Sequence, residues 1–209
     1  MRIRKPAEIR KSEIVEAALR LADKLGPDRL TTEVIAQAVG LTQPGVFRHF
    51  PSKQDLWEAV VARIGAKMEA RWTKTRRLDA TPTDRVRALV ATQLRLIQTT
   101  PAITAILFSR ELHVENDGLR KALFGVMRRF QQLVRSYISQ ARDAGEFRAD
   151  LDCNDAAFLV IGLIQGLAVR WSLSGRVFNL TDEGSRLLDL QLSGFTCWPL
   201  AAGAERGPI

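Results

Sequence analysis

Gln43, Arg48, His49 and Lys53 are hydrogen-bonding side chains gathered within eleven positions, with Pro44, Gly45, Val46 and Phe47 between them. None has the Ser, Cys or carboxylate partners that nucleophilic or acid–base catalysis requires. What the set can do is recognise. A glutamine amide matches an adenine edge with two hydrogen bonds. A glycine lets backbone come close to a groove wall. A lysine in the first turn of a helix adds an ammonium to free N–H groups, which together hold a phosphate.

Two short helices must present these groups. Thr31 and Thr32 are N-cap types, and Glu33 follows where a carboxylate suits the helix dipole. Ile35, Ala36 and Val39 supply one apolar stripe, and Gly40 ends that helix in a left-handed turn. Thr42 caps the second helix, with Gln43 and Pro44 in its first turn. Val46 and Phe50 point inward, which leaves Gln43, Gly45, Phe47 and Arg48 outward. Pro51 then interrupts the chain, and Ser52 caps a third helix that opens on Lys53. This spacing predicts a helix-turn-helix over about 31–50. A buried helical hairpin with a solvated face is the alternative.

The run TT-x-x-IA-x-x-VGLTQPGVFRHFPSK-x-x-L closely resembles the DNA-binding segment of the TetR-type transcriptional regulators. The resemblance implies base-reading or groove-facing roles for Gln43, Pro44 and Gly45, and backbone-contacting roles for Thr32, His49 and Lys53. Thr31, Thr42, Phe47 and Arg48 complete the expected DNA-binding set. Phe47 stands where the family usually has Tyr, so a hydroxyl-to-phosphate bond is missing, and Arg48 beside it is the candidate replacement.

Charge agrees with a polyanion partner at one end. The 209 residues carry a net +8, of which residues 1–77 contribute +7 from sixteen Lys and Arg against nine Asp and Glu. Arg2, Arg4, Lys5, Arg10 and Lys11 read as a basic arm, either a solubilising tail or a phosphate-contacting one. No apolar run approaches the roughly 20 residues of a membrane span, and MRIRKPAEIRK has no apolar core of a secretory signal. Two cysteines, Cys153 and Cys197, without metal-ligand spacing point to a cytoplasmic protein without metal or cofactor.

The expected fold is all-α with about nine helices. Residues 1–52 form a three-helix head, whose first helix runs from Ser12 to about Leu25 with Ile14, Ala18, Leu21 and Leu25 inward. Residues 53–77 form a long connecting helix striped by Leu56, Val60, Ile64 and Met68, with Trp57 seated on the head. Residues 78–198 form a bundle, and 199–209 a disordered tail. Within the bundle, helices are predicted over 83–97, over 101–115, from Leu119 to Ala144, over 154–174 and over 181–195. Ala156–Val169 is apolar nearly all round, so it must be covered on every side, and a second subunit is the simplest cover. Phe158, Gly162, Gly166, Leu188, Leu192 and Phe195 are the dimer-interface candidates. The resemblance supports this, since the family pairs through its last two long helices, and GEFRADLD resembles a stretch common in it.

The resemblance also implies a small-molecule effector pocket among the middle helices. Phe108, Met127, Tyr137 and Trp171 are the candidate walls, and Arg110, Glu111, His113 and Gln165 the candidate polar anchors. A dimer reading half-sites roughly 34–36 Å apart implies a palindromic operator. The function expected is that of a ligand-responsive repressor binding double-stranded DNA. An architectural or nucleoid-associated DNA binder is the rival. An enzyme is disfavoured, because His49 and His113 lie in different helices without patterned partners.

Overall fold

The computed structural model describes residues 6–76 and 79–196, apart from the side chains of Glu111 and Glu115. Its described residues form ten α-helices and no strand: α1 (Ala7–Leu25), α2 (Thr32–Ala38), α3 (Gln43–Phe47), α4 (Lys53–Thr75), α5 (Pro82–Thr99), α6 (Ala102–Leu107), α7 (Arg110–Glu115), α8 (Asp117–Asp143), α9 (Cys153–Leu173) and α10 (Leu180–Ser193). Helix α1 packs on α4, α2 packs on α1, and α3 on α2. Helix α4 also joins α5 to α10 in the body, and one apolar core runs through both parts.

Helix α1 begins five residues before the expected Ser12. Pro6 precedes it, and Glu8 occupies the first turn. Arg10 and Lys11 therefore belong to a helix, paired with Glu13 at 2.8 Å and Glu8 at 3.5 Å, rather than to a free arm. Arg2, Arg4 and Lys5 lie outside the described residues. Ser12 is no cap; its hydroxyl accepts a bond from Arg63 on α4. Leu25 is exposed and Leu21 only partly buried, while Ile14, Ala17, Ala18 and Ala22 are fully buried.

Helix α4 follows the expected stripe. Leu56, Trp57, Val60, Ile64 and Met68 are buried, and Trp72 extends the row by one turn. Lys67 reaches Glu16 of α1 at 2.9 Å. Such an exposed pair adds little energy, so the apolar row is what fixes α4 to both domains.

The single helix expected over 101–115 is two. The Ser109 hydroxyl accepts from Leu112 N–H, starting α7 afresh, and donates to the Asp28 carboxylate in the turn after α1. A side chain that caps a new helix competes with continuation of the old one. Asn116 repeats the device: it caps α8 through Leu119 N–H and donates to Gln54 O. Both breaks thus face the head.

The last two helices divide into two surfaces. On α9, Ala156, Ala157, Val160, Ile164, Leu167 and Ala168 are buried, whereas Phe158, Leu159, Gly162 and Gly166 are exposed. A Cβ at Gly162 or Gly166 would meet no atom of the chain. The expected interface residues on α10 and just after it face inward instead. Leu188 and Leu192 are buried within their own chain, and Phe195 packs edge-on against Phe147 at 5.8 Å. They cannot also face a partner, because an apolar side chain buried in one core has no surface left to offer. At 21 residues α9 has the length expected over 154–174, and by length and composition it would suffice to cross a membrane, which its 14-residue apolar run alone would not. Its inner face, however, is part of the shared core, packed by α5, α8 and α10. Cys197 and the tail 199–209 lie outside the described residues.

Candidate nucleic-acid interface and body cavity

The turn between α2 and α3 is built from local capping. Thr31 accepts from Val34 N–H at 3.2 Å and opens α2. Gly40 takes φ 63°, a left-handed conformation suited to glycine, and Leu41 N–H returns to Ala36 O at 2.8 Å. Thr42 then accepts from Gly45 N–H at 3.3 Å. Val46 is fully buried and Phe50 nearly so, which anchors α3 from beneath. Gln43, Pro44, Phe47 and Arg48 are left exposed on one side, with Gly45 and His49 half-buried beside them. This is the division predicted from spacing.

Gln43 is held rather than free. Its Nε2 donates to Thr32 Oγ1 at 2.9 Å, and Thr32 is buried. Thr32 thus holds Gln43, a contact that sequence spacing did not reveal. One amide N–H is engaged, leaving the second N–H and the carbonyl for an outside partner. Gly45 has a second reason to be glycine: a Cβ there would press on Thr42 Oγ1 at 3.3 Å and disturb the cap.

Lys53 begins α4 behind a complete capping box. Asp55 N–H donates to Ser52 Oγ at 3.0 Å, and Ser52 N–H donates to Asp55 Oδ2 at 2.9 Å. Two donors are therefore satisfied internally. An anion at this helix start would rely on the Lys53 N–H and ammonium, against the nearby Asp55 carboxylate.

The second feature is a cavity in the body, partly open to solvent. Five helices enclose it: α4 through Ile64, Met68 and Trp72, α5 through Gln93, α6 through Thr104, α8 through Val126 and Phe130, and α9 through Ile164 and Gln165. Trp72 and Phe130 stack at a tilt, with centroids 5.0 Å apart. The Trp72 indole N–H donates to Gln93 Oε1 at 2.9 Å, which pairs the indole with the Gln93 carbonyl. Thr104 Oγ1 is buried with no hydrogen-bond partner.

Of the expected pocket residues, Phe108, Met127 and Gln165 line this cavity. Tyr137 lies outside its wall, its hydroxyl 3.4 Å from Thr75 Oγ1. Trp171 donates to Phe178 O and carries the Arg176 guanidinium over its ring, outside the wall. Arg110 is exposed, and His113 sits apart on α7, its Nε2 buried without a partner. Both belong to the second of the two helices into which the expected one divides, which places them beyond the wall. Nothing is described of the Glu111 side chain. Trp72, Gln93, Thr104 and Phe130 were missed as wall residues. Trp72 was within reach, four positions beyond Met68 on the same stripe; Gln93 and Thr104 carry no such signal.

A three-helix head with one outward set of recognition groups, set on a helical body around a cavity, defines a helix-turn-helix DNA-binding regulator. The family model "Bacterial regulatory proteins, tetR family" matches residues 14–60, and "Tetracyclin repressor-like, C-terminal domain" matches residues 82–180. The chain belongs to the TetR-type family of transcriptional regulators. It is 26% identical over 187 residues to the nucleoid occlusion factor SlmA of Vibrio cholerae, covering 88% of this chain and 95% of that one. Among solved structures, a TetR regulator from Haloarcula marismortui superposes with a TM-score of 0.79 at 18% identity, covering 90% and 98% of the two chains. The regulator FadR from Bacillus subtilis, in complex with stearoyl-CoA, superposes with a TM-score of 0.74 at 17% identity, covering 88% and 98%. At these identities the two structures speak for the fold.

Proposed function

We propose that the protein is a ligand-responsive repressor that binds a palindromic operator as a homodimer. The observation that carries this reading is the span of α4. Its first residue is Lys53, beside the recognition helix, and Ile64, Met68 and Trp72 further along form a cavity wall. A ligand that fits better when the wall shifts moves a helix whose other end belongs to the head. The Ser109–Asp28 and Asn116–Gln54 bonds add two links from the same body helices to the head. That FadR, a regulator of similar fold, is solved in complex with stearoyl-CoA supports a small-molecule ligand for this chain too.

Two heads are needed because one buries too little surface to select a site. The exposed strip Phe158, Leu159, Gly162 and Gly166 on α9, with exposed Leu190 on α10, is the surface through which two bodies would pair. The two glycines permit close approach of the helices. Gln43 then reads bases, while Thr42, Arg48, His49 and Lys53 contact the phosphate backbone.

The test is a pair of titrations for any small molecule that raises the melting temperature. Linkage requires operator DNA to weaken ligand binding by the same factor by which the ligand weakens operator binding, typically about 5–150-fold. Equal ligand affinity with and without operator removes the allosteric reading. The likeness to a nucleoid occlusion factor favours a second reading, an architectural or nucleoid-associated DNA binder. Genomic binding-site sequencing separates the two: a few operators beside genes support the repressor, and a broad distribution of sites supports the alternative.

A further inference from the structure

Every described residue that lines the body cavity is uncharged at neutral pH; no Asp, Glu, Lys, Arg or His is among them. An ionised carboxylate or ammonium brought into such walls would lose its hydration without gaining a counter-charge, at a cost of several kcal/mol. A ligand that enters fully is therefore neutral. The polar groups of the wall are few, and they are not equivalent. Gln93 is engaged by Trp72, and Gln165 is only half-buried. Thr104 is 5% exposed, and its hydroxyl has no partner although one helical turn away lies backbone that threonines often use. A buried hydroxyl left unmatched costs free energy in the empty protein and recovers it when a matching group arrives.

We infer that the cavity takes an uncharged, mainly hydrocarbon molecule bearing a hydroxyl or carbonyl group, and that Thr104 is the side chain that hydrogen-bonds it. This rests on reading the cavity as the effector site. The surrounding Met68, Met127, Trp72 and Phe130 offer polarisable and aromatic contact to the hydrocarbon part. Thr104 also sits on α6, which packs against α1 of the head and ends two residues before Ser109. A bond to Thr104 thus pulls on the helix whose successor is tied to Asp28.

The experiment is calorimetric titration of the full chain with 1-octanol, 2-octanone, octanoate, octyltrimethylammonium and n-propylbenzene. The alcohol and the ketone are expected to bind at least about tenfold more tightly than either ion. Thr104→Val keeps the shape and removes the hydroxyl. It should weaken octanol about tenfold, leave propylbenzene unchanged or tighter, and not lower the melting temperature of the empty protein. Thr104→Ser should bind octanol as the parent does. Ions that bind as tightly as octanol overturn the inference. So does an equal loss for octanol and propylbenzene, or no binding by any probe. Operator release is measured in parallel. If octanol binds with the Thr104 dependence yet leaves operator affinity unchanged, the ligand class stands and the effector reading falls.

Discussion

The recognition surface and the body cavity are assembled by opposite means. From Thr31 to Asp55, capping bonds span three residues, and the outward groups lie on one five-residue helix and its C-cap, Arg48. The cavity draws its wall from five helices, with Ile64 and Gln165 about a hundred positions apart in the chain. The first kind of site is rigid because each part is held locally. The second kind can change shape whenever one helix slides against another, which is what a ligand-operated device requires.

The largest effect tests whether the two kinds of site depend on a partner chain. Gly166→Leu adds a side chain where its own chain has open space, so each subunit should fold normally. A partner helix at that strip would be pushed away. Sedimentation should then show a monomer, with operator affinity lower by about 10²–10⁴ through loss of avidity. A normal dimer would move the interface off this face of α9.

Next, the local character of the head can be broken at Thr32. Gln43→Ala should reduce operator selectivity by about 1–3 kcal/mol per half-site if the amide makes a bidentate contact. Thr32→Val keeps Gln43 but removes the bond that holds it, so selectivity should fall by a smaller amount while binding to mismatched duplex stays constant. Competition between operator and mismatched duplexes measures both. Unchanged selectivity in Thr32→Val would mean the amide is positioned without it.

A smaller effect separates phosphate contact from base reading. Lys53→Ala should weaken binding on every sequence and lower the salt slope by about 1 per head. An unaltered slope places Lys53 off the backbone and leaves the capping box as the whole role of that helix start.

The smallest effect concerns the body alone. The Asp155 and Asn154 N–H groups bonded to the Asp152 carboxylate hold it below its usual range at the start of α9. A depressed carboxylate stabilises the fold above its ordinary pKa and loses that contribution as pH falls through the lowered value. Asp152→Asn keeps a capping oxygen without the titration, so its stability should decline less than the parent's below the usual carboxylate range. Acid-unfolding curves that run parallel would show the cap to be electrostatically silent.

How much could be read in advance follows the same division. The order and faces of α2 and α3 were legible, because Thr31, Gly40, Thr42, Val46 and Phe50 each act within a turn or two of themselves. The stripe of α4 was legible to Met68 for the same reason. The break at Ser109 was not, since it depends on Asp28, a residue 81 positions earlier. Nor was the fate of Leu188, Leu192 and Phe195: period marks an apolar face, but not whether its cover is α5, Phe147 or another chain.

By itself, the amino-acid sequence determined the all-α class, the helix-turn-helix and its outward residues, and the apolar excess of α9. These rest on capping, periodicity and glycine turns, which are short-range and written in consecutive residues. Tertiary structure alone decided that Thr32 holds Gln43, that α9 keeps one face exposed, and that Trp72, Gln93 and Thr104 meet around a cavity. Those outcomes depend on which helices pack together, and packing is chosen by the whole core at once rather than by any local run of residues.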